Sequence, residues 1–445
     1  MNQMYTFHKT VRGYFHEMNG IPCEDASESF SAENDKYHIA IVADGHGSNS
    51  CFRSKTGSQI AVKVALECLQ EFADRILESD ENKNGFYKNI FSDPRFRQTT
   101  LRRLTDTIIA RWNDYVLADY RKNPPTLEET VEKYENGKEV CIYGTTLIAA
   151  LQMPDCLILL QQGDGRCEVF WKNGTTEQPI PWDSRCEGVI TTSLCDIDAA
   201  DRFRTYIINL KEKPVIACYL GSDGVEDAYR DTYESMGGFH ILMGGVHTFY
   251  KDLTCRLADF MDHTDFESYL ETMLLKFSAN GQFDRSGSGD DISVAGIVDT
   301  AAIKQFVEIF QLDVKKYELE ERLFWRKDEL RGKSRKHEIL QNRMNAAQSA
   351  LKEEQESQRS LKIELGQIEK RQKEGLEKIQ TLEDEYRKAK EIFEEYDAKY
   401  QMIESEKNHI EDEIAALHKG EDIAYGISNN KDSNADGNNI NVPDR

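Results

Sequence analysis

The chain has 445 residues, of which 39% are apolar, and its formal net charge is −23. This length allows two or three domains, and the acidic balance argues against binding to nucleic acid or to an anionic membrane surface. The sequence has no apolar signal core at its N-terminus and no run of about 18 apolar residues, so we expect a soluble, cytoplasmic protein.

The acidic charge lies mainly in the first 300 residues, which carry about −17 of it. Such a field favours binding of divalent cations or basic partners, although solubility alone would explain it equally well. Ten cysteines are scattered along the chain without a CxxC pair, and several lie inside apolar runs. They predict buried free thiols in a reducing compartment.

The first part of the chain alternates strand-like and helical patterns. The segment that begins at Met4 (MYTFHKTVRGYFH) is strand-like, and residues 38–47 (HIAIVADGHG) run from a buried strand into an Asp-Gly turn. Apolar residues at helical spacing predict helices over 54–73 and 98–120. A polar connector with two prolines is expected at 123–137.

From Cys141 the pattern changes to short apolar runs separated by glycine, which predict β-strands. These runs are CIYGTTLIAALQM at 141–153, CLILLQQGDGRCEVFW at 156–171, TYIINL at 205–210, VIACYLGSDGVEDAY at 215–229 and DISVAGIV at 291–298. Residues 183–204 and 228–285 are less regular, and we expect helices in the second of these ranges. Many strands with few long helices indicate layered α and β structure.

The C-terminal third of the chain has the composition of a long helix, rich in Glu, Lys, Gln, Arg and Leu. A mainly apolar seam keeps a heptad phase from Leu340 to Leu417, which predicts a coiled coil. The unbroken phase through Gly375 favours one continuous rod that pairs with a partner chain. The alternatives are a helical hairpin within one chain and a single solvated helix.

Acidic residues follow or precede several predicted strands. An isolated Asp-Gly such as that at Asp44 is more often a hairpin turn than a metal site. The pattern recurs, however, more often in one domain than ordinary turns explain. The acidic sites are Glu24-Asp25, Asp44-Gly45, Asp164-Gly165, Asp223-Gly224 and Asp290-Asp291, with Asp227 close to Asp223.

A fold that stacks these strands would bring the carboxylates to one edge. A carboxylate-rich set without cysteine and with little histidine prefers the hard cations Mg²⁺ and Mn²⁺ to zinc. Two such ions about 3.5–4 Å apart share a bridging water and clamp a phosphoryl group for in-line attack. The predicted chemistry is therefore hydrolysis of a phosphate ester.

Six short motifs carry a family resemblance. They are GIPCEDAS at 20–27, ADGHG at 43–47, YGTTL at 143–147, GDGR at 163–166, GSDGVED at 221–227 and GDDIS at 289–293. In order and spacing they resemble the metal-dependent serine/threonine protein phosphatases of type 2C, in a form similar to the bacterial members. The resemblance covers about residues 10–299, and the motifs are specific as a set although each is weak alone.

The resemblance implies an α+β fold, a four-layer αββα sandwich of two antiparallel sheets flanked by helices, which the long α-helical coiled coil follows in this chain. It also implies two Mn²⁺ or Mg²⁺ ions and a third, looser one. Carried over residue by residue, Asp44 would bridge the two ions and the carbonyl of Gly45 would bind one of them. Asp223 and Asp290 would ligate the other ion.

The remaining positions also match by resemblance. Glu24 and Asp25 would hold metal-bound waters, and Asp164 and Asp227 would bind the third ion. His46 matches the proposed general acid toward the serine or threonine oxygen, a role suited to an imidazole that titrates near neutrality.

One departure concerns recognition of phosphate. Family members that have a phosphate-binding arginine carry it a few residues before the Glu-Asp pair, and residues 18–23 contain none. Arg12 or His16 could replace it, or the metals alone could hold the phosphate. Thr145 and Thr146 are expected to support the site from a neighbouring strand.

We therefore predict a catalytic domain at 1–300, a helical linker at 301–338, a coiled coil at 339–418 and a disordered polar tail at 419–445. The predicted function is metal-dependent hydrolysis of phosphoserine and phosphothreonine in proteins by attack of a metal-bridging water. A phosphoprotein substrate and a homodimer or partner protein bound through the coiled coil are the expected partners. The alternatives are a catalytically silent scaffold that acts through its coiled coil and a phosphatase of small phosphoesters.

Overall fold

The computed structural model divides the chain into two compact units, Met1–Val314 and Lys315–Arg445. It describes residues 4–126, 139–186, 190–228, 245–260, 263–280, 289–361 and 368–426. None of the helices within these ranges combines the length and the apolar character that crossing a membrane requires.

The first unit contains two antiparallel five-stranded sheets. The strands are β1 (Met4–Val11), β2 (Ala26–Ser31), β3 (His38–Ala43), β4 (Leu147–Met153), β5 (Cys156–Gln162), β6 (Arg166–Trp171), β7 (Thr176–Glu177), β8 (Arg204–Asn209), β9 (Val215–Gly221) and β10 (Ile292–Asp299). One sheet has the order β1-β10-β9-β6-β7, and the other has the order β2-β3-β4-β5-β8. Among the described strands, five of the nine pairs that are consecutive in sequence are neighbours in a sheet, and the chain passes from one sheet to the other after β1, β5, β7 and β8.

Helices occupy the connections and the C-terminal part of the chain. Their bounds are α1 (Tyr14–Asn19), α2 (Ser54–Leu77), α3 (Asp80–Ser92), α4 (Pro94–Lys122), α5 (Ala199–Arg202), α6 (Asp223–Ala228), α7 (Gly245–Asp259), α8 (His263–Asn280), α9 (Thr300–Ile303), α10 (Val307–Leu361) and α11 (Ile368–Gly426). Short 3-10 turns precede α2 and β4 and follow β2 and α9.

Three apolar cores give the first unit its layers. Strand β3 is buried along its whole length because it has a core on each face. Ile39 and Ile41 point into a core shared with α2, α3 and α4, whereas Ala40 and Val42 point into the core between the two sheets. A third core joins the other sheet to α7 and α8. This is a four-layer αββα sandwich, and the predicted fold class is confirmed.

Several element boundaries differ from the prediction. The first strand-like segment ends at Val11, and its remainder forms α1. Helix α3 was not predicted because only Phe86, Tyr87 and Ile90 of its polar sequence are buried. The predicted connector at 123–137 lies largely outside the described residues.

Helix α2 approaches the backbone before β4 so closely that one of its positions requires glycine. A Cβ on Gly57 would lie far inside van der Waals contact with the carbonyl oxygen of Tyr143. The carbonyl of Gly57 also accepts a hydrogen bond from Trp112 Nε1 at 3.0 Å. The glycine therefore fixes how close α2 lies to the strand edge.

We expect Gly57→Ala to lower the free energy of unfolding by about 3 kcal/mol, because backbone atoms must move to admit one methyl group. Gly85→Ala in α3 is the matched control, since nothing lies within 4 Å of the added Cβ. The control should stabilise by about 0.5–1 kcal/mol through helix propensity. Urea unfolding measures both changes, and equal effects of the two substitutions would contradict the close approach.

The second unit consists mainly of an antiparallel pair formed by α10 and α11. Leu319 and Leu323 of α10 pack on Ile410 and Ile414 of α11. Further along, the rings of His337 and Phe393 lie 3.8 Å apart between centroids. Because later residues of α10 meet earlier residues of α11, the chain reverses direction between them.

The prediction of one continuous rod is wrong, and the helical hairpin is the arrangement found. Helix α10 ends at Leu361 and helix α11 begins at Ile368. These residues are seven positions apart, so the heptad phase of the sequence is the same whether or not the chain turns back between them. Charge favours the reversal, since Arg322 of α10 pairs with Glu406 of α11 at 3.1 Å. The break also precedes Gly375, which lies within α11.

The limits of the units differ from the predicted domains. The first unit extends to Val314 rather than residue 300, because Phe310 at the start of α10 packs edge-on against Phe170, with centroids 5.3 Å apart. Helix α11 continues to Gly426, past the predicted start of the tail at 419. The rest of the predicted tail, residues 427–445, lies outside the described residues.

Candidate metal centre

Asp44 is presented by the turn that follows β3. Its backbone is held from the neighbouring segment: its N–H donates to Thr146 Oγ1 at 3.0 Å. Its carbonyl accepts from Thr146 N at 2.7 Å and from Thr145 Oγ1 at 2.8 Å. Thr145 and Thr146 therefore hold the backbone of Asp44 from the segment before β4, which is consistent with the expectation that they support this turn.

Gly45 is needed because two other segments press against it. A Cβ at this position would lie 2.6 Å from the carbonyl oxygen of Glu24 and 2.9 Å from the carbonyl carbon of Ser54. Gly45 also forms an isolated antiparallel bridge with Thr145. The glycine thus allows the Asp44 turn, the start of α2 and the Glu24 segment to meet.

Two further turns bring carboxylates to Asp44. Asp164 lies between β5 and β6, and Asp223 begins α6 directly after β9. One carboxylate oxygen from each of Asp44, Asp164 and Asp223 lies within 4.8 Å of the others. These three aspartates therefore form the centre of the site.

The other predicted residues surround this group without joining it at that distance. Asp25 and Asp290 both act electrostatically on Asp44, and Asp227 acts on Asp223 and Asp290. Glu24 is nearly buried and interacts with Asp290. Every predicted carboxylate thus belongs to one electrostatic cluster, with Asp164 nearer its centre than a role confined to a third ion suggests.

The cluster is unfavourable without a compensating positive charge. Burial and then the nearby carboxylates raise the pKa of Asp44 and of Asp25 well above the ordinary value. The same causes raise the pKa of Asp223 to about 7. Burial is also the largest cause of the raised pKa values of Glu24 and Asp290. Burial and mutual repulsion therefore favour the protonated form of these carboxyl groups when no cation is present.

The donor set fits a hard divalent cation. It consists of carboxylate oxygens, which Mg²⁺ and Mn²⁺ prefer. Oδ2 of Asp25 and Oδ1 of Asp164 are buried and have no hydrogen-bond partner within the protein. Buried acceptors without a donor are rare in folded proteins, and a bound cation would satisfy both. The structure therefore provides the kind of site that the sequence predicts.

His46 follows the Asp44 turn and packs on the segment before β4. The backbone N–H of His46 donates to the carbonyl of Gly144 at 3.1 Å. A Cβ on Gly144 would lie 2.7 Å from Cδ2 of the His46 imidazole. Burial lowers the pKa of His46, and the charges of Asp164 and Asp196 partly oppose that shift. The imidazole therefore packs against Gly144, and the charge of Asp164 acts on it.

Serine side chains from α2 hold Glu24. Ser54 Oγ donates to Glu24 Oε1 at 2.5 Å, and Ser58 Oγ donates to the carbonyl of Glu24 at 2.5 Å. The sequence analysis missed both serines. They lie in a helix whose apolar spacing was recognised, but spacing alone does not show which of its polar residues face the site.

Asp291 is a third residue, after Ser54 and Ser58, to which the sequence alone assigns no role. Its carboxylate is buried and accepts two backbone hydrogen bonds, from Gly13 N at 2.5 Å and from Glu24 N at 2.6 Å. His16 Nδ1 lies 2.9 Å from Asp291 Oδ1. Asp291 therefore ties three segments together behind Asp290, and the Asp-Asp pair was the sequence signal for it.

We expect Asp291→Ala to lower the free energy of unfolding by about 3 kcal/mol, because two buried N–H groups lose their acceptor. It should also weaken Mn²⁺ binding by displacing Glu24 and Asp290. Asp299→Ala at the other end of β10 is the control, since Asp299 also accepts from two backbone N–H groups but lies away from the centre. Calorimetric titration with Mn²⁺ compares them, and equal affinities would contradict a positioning role.

The two candidates for a missing arginine differ in their placement. Arg12 Nη2 donates to the carbonyl of His16 at 3.0 Å, so its guanidinium is engaged by the backbone. His16 Nε2 lies 3.7 Å from Asp290 Oδ1, which puts the imidazole beside the carboxylate cluster. His16 is therefore nearer to the centre by its contacts.

Arg166 of the GDGR motif contacts the segments that carry Asp164 and Asp223. Its Nη2 pairs with Glu226 at 2.5 Å, and its Nη1 donates to the carbonyl of Asp164 at 2.5 Å. Glu226 lies in α6, between Asp223 and Asp227. This arginine thus connects the two turns that carry Asp164 and Asp223.

Comparison with known families gives a single match over most of the first unit. The family model described as protein phosphatase 2C matches residues 12–274, more than half of the chain. No curated protein matches the chain.

Solved structures are similar to this chain at low identity. Serine/threonine phosphatase Stp1 from Staphylococcus aureus has 15% identity and a TM-score of 0.38, over 66% of this chain and 95% of that one. The catalytic domain of serine/threonine protein phosphatase PstP, in complex with 2 manganese ions, has 15% identity and a TM-score of 0.37, over 66% and 97%. A sex-determining protein of C. elegans has 14% identity and a TM-score of 0.41, over 69% and 68%.

Proposed function

Because this chain belongs to the protein phosphatase 2C family, we propose that it hydrolyses phosphoserine and phosphothreonine in proteins with the aid of Mn²⁺ or Mg²⁺. The observation that carries this proposal is the approach of the Asp44, Asp164 and Asp223 carboxylates within 4.8 Å. Such a group is unfavourable alone and is stabilised by divalent cations.

The proposed ligands are the residues that the cluster brings together. Two cations, when bound there, supply a water of lowered pKa and neutralise charge on the phosphoryl oxygens. Asp44 would be the ligand shared by the two cations, and Thr145 and Thr146 hold the backbone of the turn that presents it. Asp223, Asp290 and the Gly45 carbonyl would complete the pair of sites, and Asp164 would hold a third cation with Asp227 while lying close enough to Asp44 and Asp223 to contact the central cations as well.

The protein's own groups have three further proposed roles. Glu24, held by Ser54, and Asp25 orient the water molecules of the site. His46 would give a proton to the leaving serine or threonine oxygen, a role that its place directly after the Asp44 turn and its contact with Gly144 support. Since residues 18–23 contain no arginine, we assign the contacts with the phosphate to the cations and His16.

Release of inorganic phosphate from a phosphoserine peptide by the full chain tests this proposal. We expect turnover with Mn²⁺, none after chelation, and little turnover of small phosphorylated metabolites at the same concentration. Turnover of metabolites alone would favour a small-molecule phosphoesterase. No turnover of any substrate, with a partner still bound, would favour a catalytically silent scaffold.

We propose a cytoplasmic location and a role in signalling for this phosphatase. All ten cysteines carry free thiols and most are buried, which supports a reducing compartment.

We also propose that the helical unit pairs with a second copy of this chain as a coiled coil. A groove of about 650 Å³ runs between α10 and α11, and its apolar lining includes Leu340, Met344, Leu382 and Ile392. Its rim carries both signs of charge, from Arg343, Lys388 and Glu385. A two-fold arrangement could therefore bring Glu385 of each copy near Arg343 or Lys388 of the other.

Truncation after Val314 tests the pairing of the helical unit independently of the phosphatase activity. We expect the shortened chain to be a monomer that retains Mn²⁺-dependent turnover, because every proposed ligand lies in the first unit. Sedimentation velocity of the full chain should show a dimer. A monomeric full chain would instead point to a different partner protein, and loss of turnover on truncation would mean that the helical unit shapes the site.

A further inference from the structure

Helix α1 presents three large apolar side chains to solvent. Tyr14, Phe15 and Met18 are 49%, 58% and 68% exposed, and no residue of this six-residue helix is buried. Single exposed apolar residues are ordinary on protein surfaces, but a contiguous group usually marks contact with another molecule. We call these three side chains the apolar patch.

The backbone of the apolar patch is fixed to the segment that carries Asp290. Phe15 N donates to the carbonyl of Gly289 at 2.8 Å, the residue directly before Asp290. Tyr14 N donates to Ser278 Oγ at 2.7 Å, and this hydroxyl donates to the carbonyl of Asp290 at 2.9 Å. The apolar patch therefore has a fixed position relative to a proposed metal ligand.

The same short helix also faces the carboxylate cluster. His16, between Phe15 and the rest of the helix, lies 2.9 Å from Asp291 and 3.7 Å from Asp290. The close approach depends on Gly13, since a Cβ there would overlap the backbone of Asp290. One helix thus connects the candidate metal centre to an exposed apolar surface.

We propose that the apolar patch binds a large apolar side chain of the phosphoprotein substrate, close in sequence to the phosphorylated serine or threonine. This inference rests on the proposed phosphatase function and adds a substrate class to it. Because α1 carries both the apolar patch and His16, which lies beside Asp290, the patch is within reach of residues that flank a phosphate at the proposed centre. The net acidic charge of the first 300 residues disfavours acidic flanking residues and leaves apolar contact as the attraction this surface offers.

Chain geometry limits where the apolar side chain can be. An extended peptide advances about 3.3 Å per residue, and one helical turn from Phe15 to Met18 spans about 5 Å. The backbone of Phe15 is hydrogen-bonded to Gly289, the residue before Asp290. A side chain about three residues from the phosphoserine can therefore reach the apolar patch. Because the helix is already fixed by its backbone bonds, little ordering opposes binding.

The test compares paired phosphoserine peptides that differ only in a Leu or a Ser, placed about three residues to either side. For the Mn²⁺-loaded full chain we expect, on one side of the phosphoserine, a kcat/KM that is about tenfold higher for the Leu peptide than for the matching Ser peptide. The double variant Phe15→Ser/Met18→Ser should remove this preference by raising KM, with kcat little changed. Each value is expressed relative to the turnover of p-nitrophenyl phosphate by the same variant.

Tyr206→Ser is the matched control, because Tyr206 is a comparably exposed aromatic residue, 41%, on the edge strand β8. It should keep the Leu preference, whereas the double variant loses it. Equal preference in the double variant and the control would overturn the proposal. A change in sedimentation of the double variant without a change in KM would also overturn it, by showing that the patch meets a second copy.

Failure of the proposed function is visible separately. If the wild-type chain turns over neither p-nitrophenyl phosphate nor any peptide, the phosphatase assignment fails. Fluorescence anisotropy of labelled peptides then shows whether the apolar patch binds the Leu peptide. Tighter binding of the Leu peptide, lost in the double variant, would retain the apolar patch as a binding surface. Equal binding of the Leu and Ser peptides would remove it.

Discussion

Asp44→Asn should lower Mn²⁺-dependent kcat/KM for a phosphoserine peptide by about a thousandfold while making the metal-free protein more stable. The loss of activity follows from the proposed position of Asp44 between two cations. The gain in stability follows from burial: the pKa of Asp44 is raised by desolvation and by Asp223, Asp25 and other carboxylates. A neutral amide of the same shape removes that repulsion and can donate a hydrogen bond to Asp223.

The two opposite effects distinguish a metal site from a structural cluster. Differential scanning calorimetry without metal should give a higher midpoint for Asp44→Asn than for the wild type. Added Mn²⁺ should raise the midpoint of the wild type and leave that of the variant nearly unchanged, because ligand binding stabilises only a protein that binds the ligand. Asp201→Asn serves as control, since the Asp201 side chain is 73% exposed. A lower midpoint for metal-free Asp44→Asn would contradict this account of the cluster.

The metal-free protein should lose stability as the pH rises from 5 to 8. The pKa of Asp223 is about 7 in the folded protein, whereas an aspartate in the unfolded chain titrates near pH 4. Between these values the folded state holds protons that the unfolded state has released, so the free energy of unfolding falls with increasing pH. For Asp223 alone the loss between pH 5 and pH 8 is on the order of 3 kcal/mol.

Urea unfolding at a series of pH values, with and without Mn²⁺, measures this slope. Carboxylates that are paired with arginine have the opposite effect on stability. Arg185 lowers the pKa of Asp183, so this pair stabilises the folded protein above about pH 4, and the stabilisation is lost on acidification. The difference between the wild type and Asp223→Asn isolates the contribution of the cluster. We expect Mn²⁺ to abolish most of that difference at pH 8, and a slope independent of Mn²⁺ would count against cation binding at Asp223.

The fold of the first unit was predictable because its strands carry clear signals. The run before Asp44 is apolar without alternation, as expected for a strand with a core on each face, and β3 has that environment. The acidic turns were recognisable because each adjoins such a strand. Antiparallel stacking then brings Asp44, Asp164 and Asp223 together, which strand order along the chain does not show by itself.

Other parts of the site could not be predicted, because they depend on which side of a helix faces the centre. Ser54 and Ser58 bind Glu24 only because Gly57 lets α2 approach. Asp291 differs from its neighbour Asp290 only in pointing inward, where it accepts two backbone N–H groups. Periodicity identifies buried apolar residues well but says little about buried polar ones.

The helical unit shows a different limit. A heptad phase specifies which residues form a seam but not whether the partner is another chain or the same one. The seven-residue step from Leu361 to Ile368 leaves the phase unchanged where the chain reverses. The pairing of Arg322 with Glu406 is a contact between the two helices that the heptad phase does not predict.

The central claim is that the carboxylate cluster binds divalent cations, and anomalous diffraction from crystals grown with Mn²⁺ tests it most directly. Data collected above the manganese absorption edge should show two strong peaks within ligand distance, about 2.0–2.6 Å, of carboxylate oxygens that include those of Asp44 and Asp223. Crystals of Asp44→Asn should lack at least one of them. Absence of any anomalous peak at Asp44, Asp164 and Asp223 in the wild type would contradict the account.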